Sequence, residues 1–282
     1  MSTIQAVLLG LVQGLTEFLP VSSSAHLAAA QALLGVQAPA AGVAIALHCG
    51  TLLAILIVFW RDLWAVALDG LRGGLGILRG ESVRTIVQTA PLWPTAAAIV
   101  IGSVPAGLAG LLLGEKVELL FSNVVASGAL LFVTGLLLLS SRCAPAPRTD
   151  RVDARRGLVI GMAQAAALLP GISRSGATIV TGCLLGVERR AAGRFSFLLA
   201  VPAMVGAALW ELRRASAAPQ AAAGQDELIR AGALAAGVLV STLVGTVCLL
   251  FVLRVVERGR LHWFAAYCLP AGAAMVLGGL IV

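Results

Sequence analysis

The sequence predicts an all-α integral membrane protein built as an inverted-topology repeat. Each half holds one re-entrant helix hairpin and three transmembrane helices, six full spans in total. Three observations carry this prediction. Of 282 residues, 59% are apolar and only 12% charged, against roughly 25% charged in an ordinary soluble domain, and the mean hydropathy is +0.98. Six windows hold enough consecutive apolar residues to cross a bilayer. Two further apolar regions, each interrupted by a proline, resemble one another. Composition of this kind excludes a water-soluble enzyme, a disordered chain and a nucleic-acid-binding protein. The net charge of +7 reads as loop charge on a membrane protein, and no nucleic-acid partner is expected.

Taken in order, the chain opens on MSTIQAVLLG, which lacks a basic leader, so the first helix is read as part of the mature protein. Residues 4–36 hold Glu17 and Pro20, too long for one unbroken helix and too interrupted for two spans. The residue before a proline is driven from helical geometry, which puts a break near Leu19. Spans follow at 42–60, 90–113 and 119–141. Residues 157–187, with Pro170, Gly171 and Arg174, form the second interrupted region, with its break near Leu169, and spans follow at 195–210, 231–253 and 261–282. LPVSSSA (19–25) matches LPGISRSGA (169–177) with two insertions, and LLGV recurs at 33–36 and 184–187. The chain is therefore one membrane domain, 1–282. Repeat one covers 1–141 with hairpin 4–36, a cytoplasmic linker covers 142–156, and repeat two covers 157–282 with hairpin 157–187. The five cysteines are scattered without a CxxC pair and read as small hydrophobes rather than as a disulfide or zinc framework.

Loop charge sets the orientation. With six spans and two re-entrant hairpins, the segments 61–84, 142–156, 188–194 and 254–260 share one face and carry 15 of the 20 basic residues, while 114–118 and 211–230 carry 4. Positive charge stays inside, so the 15-charge face is cytoplasmic. An odd number of spans per repeat inverts the halves, so hairpin one enters from outside and hairpin two from the cytoplasm. The Arg155-Arg156, Arg189-Arg190 and Arg258/Arg260 clusters read as anchors for anionic membrane lipids.

Two charges fall outside loops and span ends: Glu17 and Arg174, one in each hairpin and opposite in sign. A mid-bilayer charge costs roughly 2.5–3.5 kcal/mol on insertion scales and marks a functional site; the alternative is a structural ion pair that pins the repeats. Gln13 and Glu17, spaced i,i+4, share a helix face. Ser22, Ser23 and Ser24 sit where a new helix starts and its free amides face an anion. His26 lies three residues beyond Ser23. Carboxylate, hydroxyl and imidazole around open amides suit metal or proton handling at a phosphate. In hairpin two, Ser173, Ser175 and Thr178 offer hydroxyls, and Arg174 offers a bidentate fork for phosphate oxygens. No GxxxxGK[ST] spacing is present, so this is an anion cradle at a helix start rather than a Walker loop. His48, mid-span beside Thr51, reads as an interhelical hydrogen-bonder or a support for the site, and His262 as an interface residue. The stretch 215–225 carries no evident chemistry.

QGLTEFLPVSSSAHL (13–27), LLPGISRSGATIVTGCLLGVERRAAGRFSFLLAVPAM (168–204) and HCGTLLAILIVFWRDL (48–63) together resemble the undecaprenyl-diphosphate phosphatases of the bacitracin-resistance protein family, from about residue 4 to the C-terminus. The resemblance implies an enzyme of the bacterial inner membrane, its site facing the periplasm. It would hydrolyse undecaprenyl diphosphate, recycle the lipid carrier for the cell wall and confer bacitracin resistance. It implies functional roles for Glu17, Ser23, His26, Ser173, Arg174 and Thr178, support by Mg2+ or Ca2+, and a homodimer. In that family a Glu or Gln precedes the motif glutamate by four residues; here it is Gln13, which leaves Glu17 as the only intramembrane carboxylate. On this reading Arg174, Ser173, Ser175, Thr178, Ser22 and Ser24 hold the diphosphate, Glu17 with Gln13 holds the cation, and His26 activates water or Ser23. A transporter or flippase for a polyprenyl phosphate lipid is the rival, because inverted repeats with broken helices are also transporter anatomy.

Overall fold

The computed structural model describes residues 1–36, 40–121, 123–217 and 225–281, and every regular element among them is helical. In chain order they are α1 (Thr3–Thr16), α2 (Ser23–Leu33), α3 (Ala40–Leu78), α4 (Val83–Thr89), α5 (Trp93–Phe121), α6 (Val124–Ser140), α7 (Ala154–Ala166), α8 (Arg174–Leu184), α9 (Arg189–Ala217), α10 (Gln225–Glu257) and α11 (Ala265–Ile281). Six of the described helical stretches are long and apolar enough to cross a membrane: Gly42–Leu78, Trp93–Gly114, Val124–Cys143, Arg189–Trp210, Ala231–Glu257 and Leu261–Gly279. They coincide with the six windows read from the sequence. The region 218–224, within the stretch read as an exterior loop, lies outside the described residues.

Segments read as loops turn out to extend helices. The span at 42–60 does not stop at Arg61: α3 runs on to Leu78, bending at Phe59, the one residue inside it with non-helical dihedrals (φ −107°, ψ 16°). Charge alone suggested a loop, but Asp69 is buried and its carboxylate accepts from the Leu92 amide (2.9 Å), holding the chain just before α5. The 114–118 segment is likewise part of α5, and 211–217 continues α9. The breaks fall about three residues earlier than the prolines suggest. α1 ends at Thr16, with Glu17 as its C-cap, and α7 ends at Ala166.

Four of the basic segments gather at one end of the molecule. Arg194 pairs with Asp62, Arg190 with Glu257 (3.3 Å), and the Arg148 amide donates to the Gly186 carbonyl (2.8 Å). Arg260 lies over the Trp263 ring, 4.6 Å from its centroid.

Small residues let the helices approach closely, which is how helices associate when apolar burial offers no gain over lipid. α1 packs on α10, α7 on α5, and α6 on α11. At each crossing the backbones touch. A methyl on Gly10 would stand 2.2 Å from the Gly237 carbonyl oxygen, one on Gly161 would stand 2.1 Å from that of Gly102, and one on Gly272 would stand 2.6 Å from that of Gly128. Outward, Leu108, Leu111 and Leu112 of α5 and Leu239, Leu243 and Val247 of α10 are exposed, as lipid-facing positions would be. Overpacking a close crossing costs roughly 1–3 kcal/mol. Gly161→Ala should therefore lower the thermal unfolding midpoint in detergent clearly, whereas Gly107→Ala, which meets open space, should leave it unchanged.

Candidate active site

The two helix breaks meet. In the first, Phe18 is fully buried and packs edge-on against Phe197 (centroids 5.7 Å apart, 75°), and this anchors the turn. Ser22 then takes φ +66°, the only non-glycine residue with positive φ among those described. Backbone strain of this kind clusters at functional sites, where the surroundings must hold it. Ser22 caps no amide of α2; its Oγ instead accepts from the Gly171 amide in the second break (3.1 Å). Gly171 sits at φ +102°, and a side chain there would strike the Ser127 carbonyl at 2.2 Å, so only glycine fits. Its carbonyl accepts from Thr134 Oγ1 (2.9 Å), which in turn accepts from the Ser173 amide (3.1 Å). Thr134, wholly buried in the apolar α6, thus fixes the second turn.

From this junction Glu17 and Arg174 face each other across 157 residues of sequence. Arg174 Nη2 donates to Glu17 Oε1 at 2.5 Å. Glu17 Oε2 accepts from Ser23 Oγ (2.6 Å) and Gln13 Nε2 (3.0 Å), and His48 Nε2 stands 3.4 Å away. A buried carboxylate is tolerable only when paired and hydrogen-bonded, and both conditions are met. These groups open onto a cavity of about 340 Å³. Its polar wall is Glu17, Ser22, Ser23, Ser24, His48, Ser173 and Arg174; its apolar wall includes Ile45, Leu52, Ile172, Met204 and Ala207. The N-termini of α2 and α8 both start at this wall, where helix ends favour an anion.

The remaining residues singled out by the sequence divide between the wall and the protein behind it. Ser173 caps α8 by accepting from the Gly176 amide (3.2 Å), and Ser175 Oγ lies 3.2 Å from Ser173 Oγ. Thr178 Oγ1 donates to the Arg174 carbonyl (2.8 Å) and meets Ser196 Oγ at 2.5 Å. Ser175 and Thr178 are buried and off the cavity wall, so they shape the helix that presents Arg174. His26 does not reach the cavity. Its Nδ1–H donates to the Ser22 carbonyl (2.8 Å), which leaves Nε2 to accept from the Tyr267 hydroxyl (2.5 Å), and the rings stack at 5.6 Å. The i,i+3 spacing from Ser23 could not show that Tyr267 claims the ring. Thr134, Ser196 and Tyr267 went unread; the signal available for the first was a hydroxyl alone in FVTGLLLL.

Together these groups define a buried polar centre in an apolar helical protein, a guanidinium and a hydroxyl on one carboxylate at a cavity wall. The family model described as bacitracin resistance protein BacA matches residues 6–274, and the chain belongs to that family. Curated relatives agree along the whole length. The undecaprenyl-diphosphatase of Desulforapulum autotrophicum is 39% identical over 285 residues, covering 100% of both chains. That of Desulfosudis oleivorans is 43% identical over 282 residues (99% of this chain, 100% of the relative), and that of Korarchaeum cryptofilum is 39% identical over 276 residues (98% and 99%).

Proposed function

We propose that this protein hydrolyses undecaprenyl diphosphate to undecaprenyl phosphate and inorganic phosphate, regenerating a lipid carrier for cell-wall synthesis and conferring bacitracin resistance. The single observation that carries the reading is the chain Arg174–Glu17–Ser23, a guanidinium, carboxylate and hydroxyl in direct contact on the wall of one cavity. The activity for which the relatives are named supplies the substrate.

The terminal phosphate enters the fork of Arg174, whose planar donors match phosphate oxygens, and the hydroxyls of Ser22, Ser24 and Ser173 complete the cradle. Charge building on the phosphoryl oxygens is met by these preorganised donors. The attacking oxygen, Ser23 Oγ or a water in its place, bonds to the terminal phosphorus as the bond from phosphorus to the bridging oxygen breaks. Its proton passes to Glu17 Oε2, and polyprenyl phosphate departs. If Ser23 attacks, a water then cleaves the phosphoserine and the hydroxyl recovers its proton. His26, engaged by Ser22 and Tyr267, holds the strained turn from behind.

A divalent cation, Mg2+ or Ca2+, fits this donor set only as one shared with the substrate. Among the described residues no three of His, Cys, Asp and Glu are grouped as a metal cage. Magnesium, however, commonly takes one or two protein carboxylates and draws its other ligands from phosphates and water. Glu17 would be the carboxylate, and Gln13 Oε1, buried with no hydrogen-bond partner, is an orphaned oxygen beside it. When bound, the cation would neutralise diphosphate charge.

We further read the two helix pairs, α1–α2 and α7–α8, as re-entrant hairpins of an inverted repeat. Exchange of α1 with α7, α5 with α10, and α6 with α11 maps the α1–α10 crossing onto α7–α5 and returns α6–α11 to itself, which supports that symmetry. The end that gathers the arginine-rich segments is then cytoplasmic in the inner membrane, and the site opens to the periplasm. Single cysteines, in a background with Cys49 and Cys143 replaced by Ser, test the orientation. Cysteine at Gly74 or Thr149 should resist an impermeant thiol reagent in intact cells, and one at Gln220 should label; the opposite pattern inverts the topology. Gly73 is unsuitable because a side chain there would meet the Trp93 ring at 2.4 Å.

The purified protein in detergent should release phosphate from undecaprenyl diphosphate. A flippase moves lipid between leaflets of sealed vesicles and releases none, so transport without release would overturn the proposal.

A further inference from the structure

His48 is the one polar group on the cavity wall to which the mechanism gives no task. It stands on α3, outside both helix breaks, and brings Nε2 to 3.4 Å from Glu17 Oε2. Its other nitrogen is committed, since Nδ1–H donates to the Ala44 carbonyl one turn back (2.7 Å), so only the doubly protonated ring can also turn an N–H from Nε2 toward the carboxylate. The helix that bears it therefore sets the ring's direction. That part of α3 is itself pinned. Ser241 and Thr242 of α10 donate to the Leu47 and Gly50 carbonyls (2.9 and 3.0 Å), on either side of His48. A methyl on Gly50 would lie 2.6 Å from the Val238 carbonyl oxygen, so the two helices are in backbone contact there.

The partners of Glu17 divide by origin. Ser23 and Gln13 belong to the same helix pair as Glu17, and Arg174 comes from the second. A guanidinium fork favours both oxygens of a carboxylate at once, yet Arg174 bonds Oε1 alone, while Oε2 points to Ser23 and His48. We propose that His48 is a positioning residue: from a helix outside both breaks, the N–H of its imidazolium keeps Glu17 Oε2 on the Ser23 side and out of a second bond with Arg174. Without it the carboxylate rotates into the fork. Ser23, or the water that replaces it, then loses its proton acceptor, and Arg174 loses freedom to take phosphate. This rests on the phosphatase reading above and assigns one more residue to it.

The test is steady-state phosphate release from undecaprenyl diphosphate in detergent by the wild type, His48→Ala and His48→Gln, with thermal unfolding measured for each. Loss of an orienting partner typically costs about 10–100-fold. His48→Ala should lose that much in kcat with KM nearly unchanged, and His48→Gln, which can place an amide N–H near the position of Nε2, should recover most of it. Should His48→Ala not fold, His48→Leu fills the space without a polar atom and takes its place. A wild-type kcat in the apolar variant overturns the assignment. So does an equal loss in the apolar and Gln variants with unaltered unfolding, which would give the imidazole itself the chemistry. Absence of release by the wild type overturns the phosphatase reading as well, whereas a failed pattern among the variants overturns only the role of His48.

Discussion

Arg174→Lys should be impaired almost as badly as Arg174→Ala. Lysine keeps the charge but offers a compact ammonium in place of a planar fork, so it cannot bond two phosphate oxygens in the plane. It also cannot keep one donor on Glu17 Oε1 while presenting others to the substrate. Donors aimed at developing charge are worth about 10²–10³ in kcat each, and Arg174 contributes more than one, so a loss of at least that order is expected for either variant. The Lys variant is the informative one. If its turnover approaches wild type, the site requires only a point charge, and the reading of Arg174 as a fork fails.

Glu17→Gln should produce the other large effect. The amide keeps the shape but cannot accept the proton that leaves Ser23 or water, and general-base catalysis contributes typically 10²–10⁴-fold. Because Glu17 accepts directly from Ser23 (2.6 Å), that loss should persist when magnesium or calcium is raised. Recovery at high cation would instead show that the carboxylate serves mainly to hold the metal. His26→Gln is the companion measurement. With its ring bonded to Ser22 and Tyr267, its loss should stay within about tenfold, below the general-base range. A deep loss for His26→Gln beside a mild one for Glu17→Gln would exchange the two assignments.

These two residues were legible in the sequence for a simple reason. In a chain with so little charge, a carboxylate and a guanidinium placed inside apolar runs stand out against an otherwise uniform background. The six spans were legible for the same reason, since length and hydropathy suffice to find them. What the sequence withheld depends on side-chain direction and on tertiary contact. Thr178 sits one turn after Arg174, as a phosphate ligand would, but its hydroxyl turns back to the Arg174 carbonyl and to Ser196. Tyr267, 241 residues from His26, decides where that imidazole points, and no spacing rule reaches so far. The extension of α3 past Arg61 is hidden because charge after an apolar run marks a loop as readily as a helix; one of those charges, Asp69, is buried at the Leu92 amide. Ser22 at positive φ could not be read from a run of three serines, because each has the same intrinsic preferences and only contact with Gly171 selects one of them.

The central claim is that the two helix breaks build one catalytic unit, joined by Glu17 and Arg174. A double-mutant cycle on kcat/KM, with Glu17→Asp, Arg174→Lys and the pair together, measures this most directly, since residues that act as a unit are strongly non-additive. If the two act as one unit, the double variant is little worse than the poorer single variant. Losses that multiply, as they do for independent sites, would contradict it.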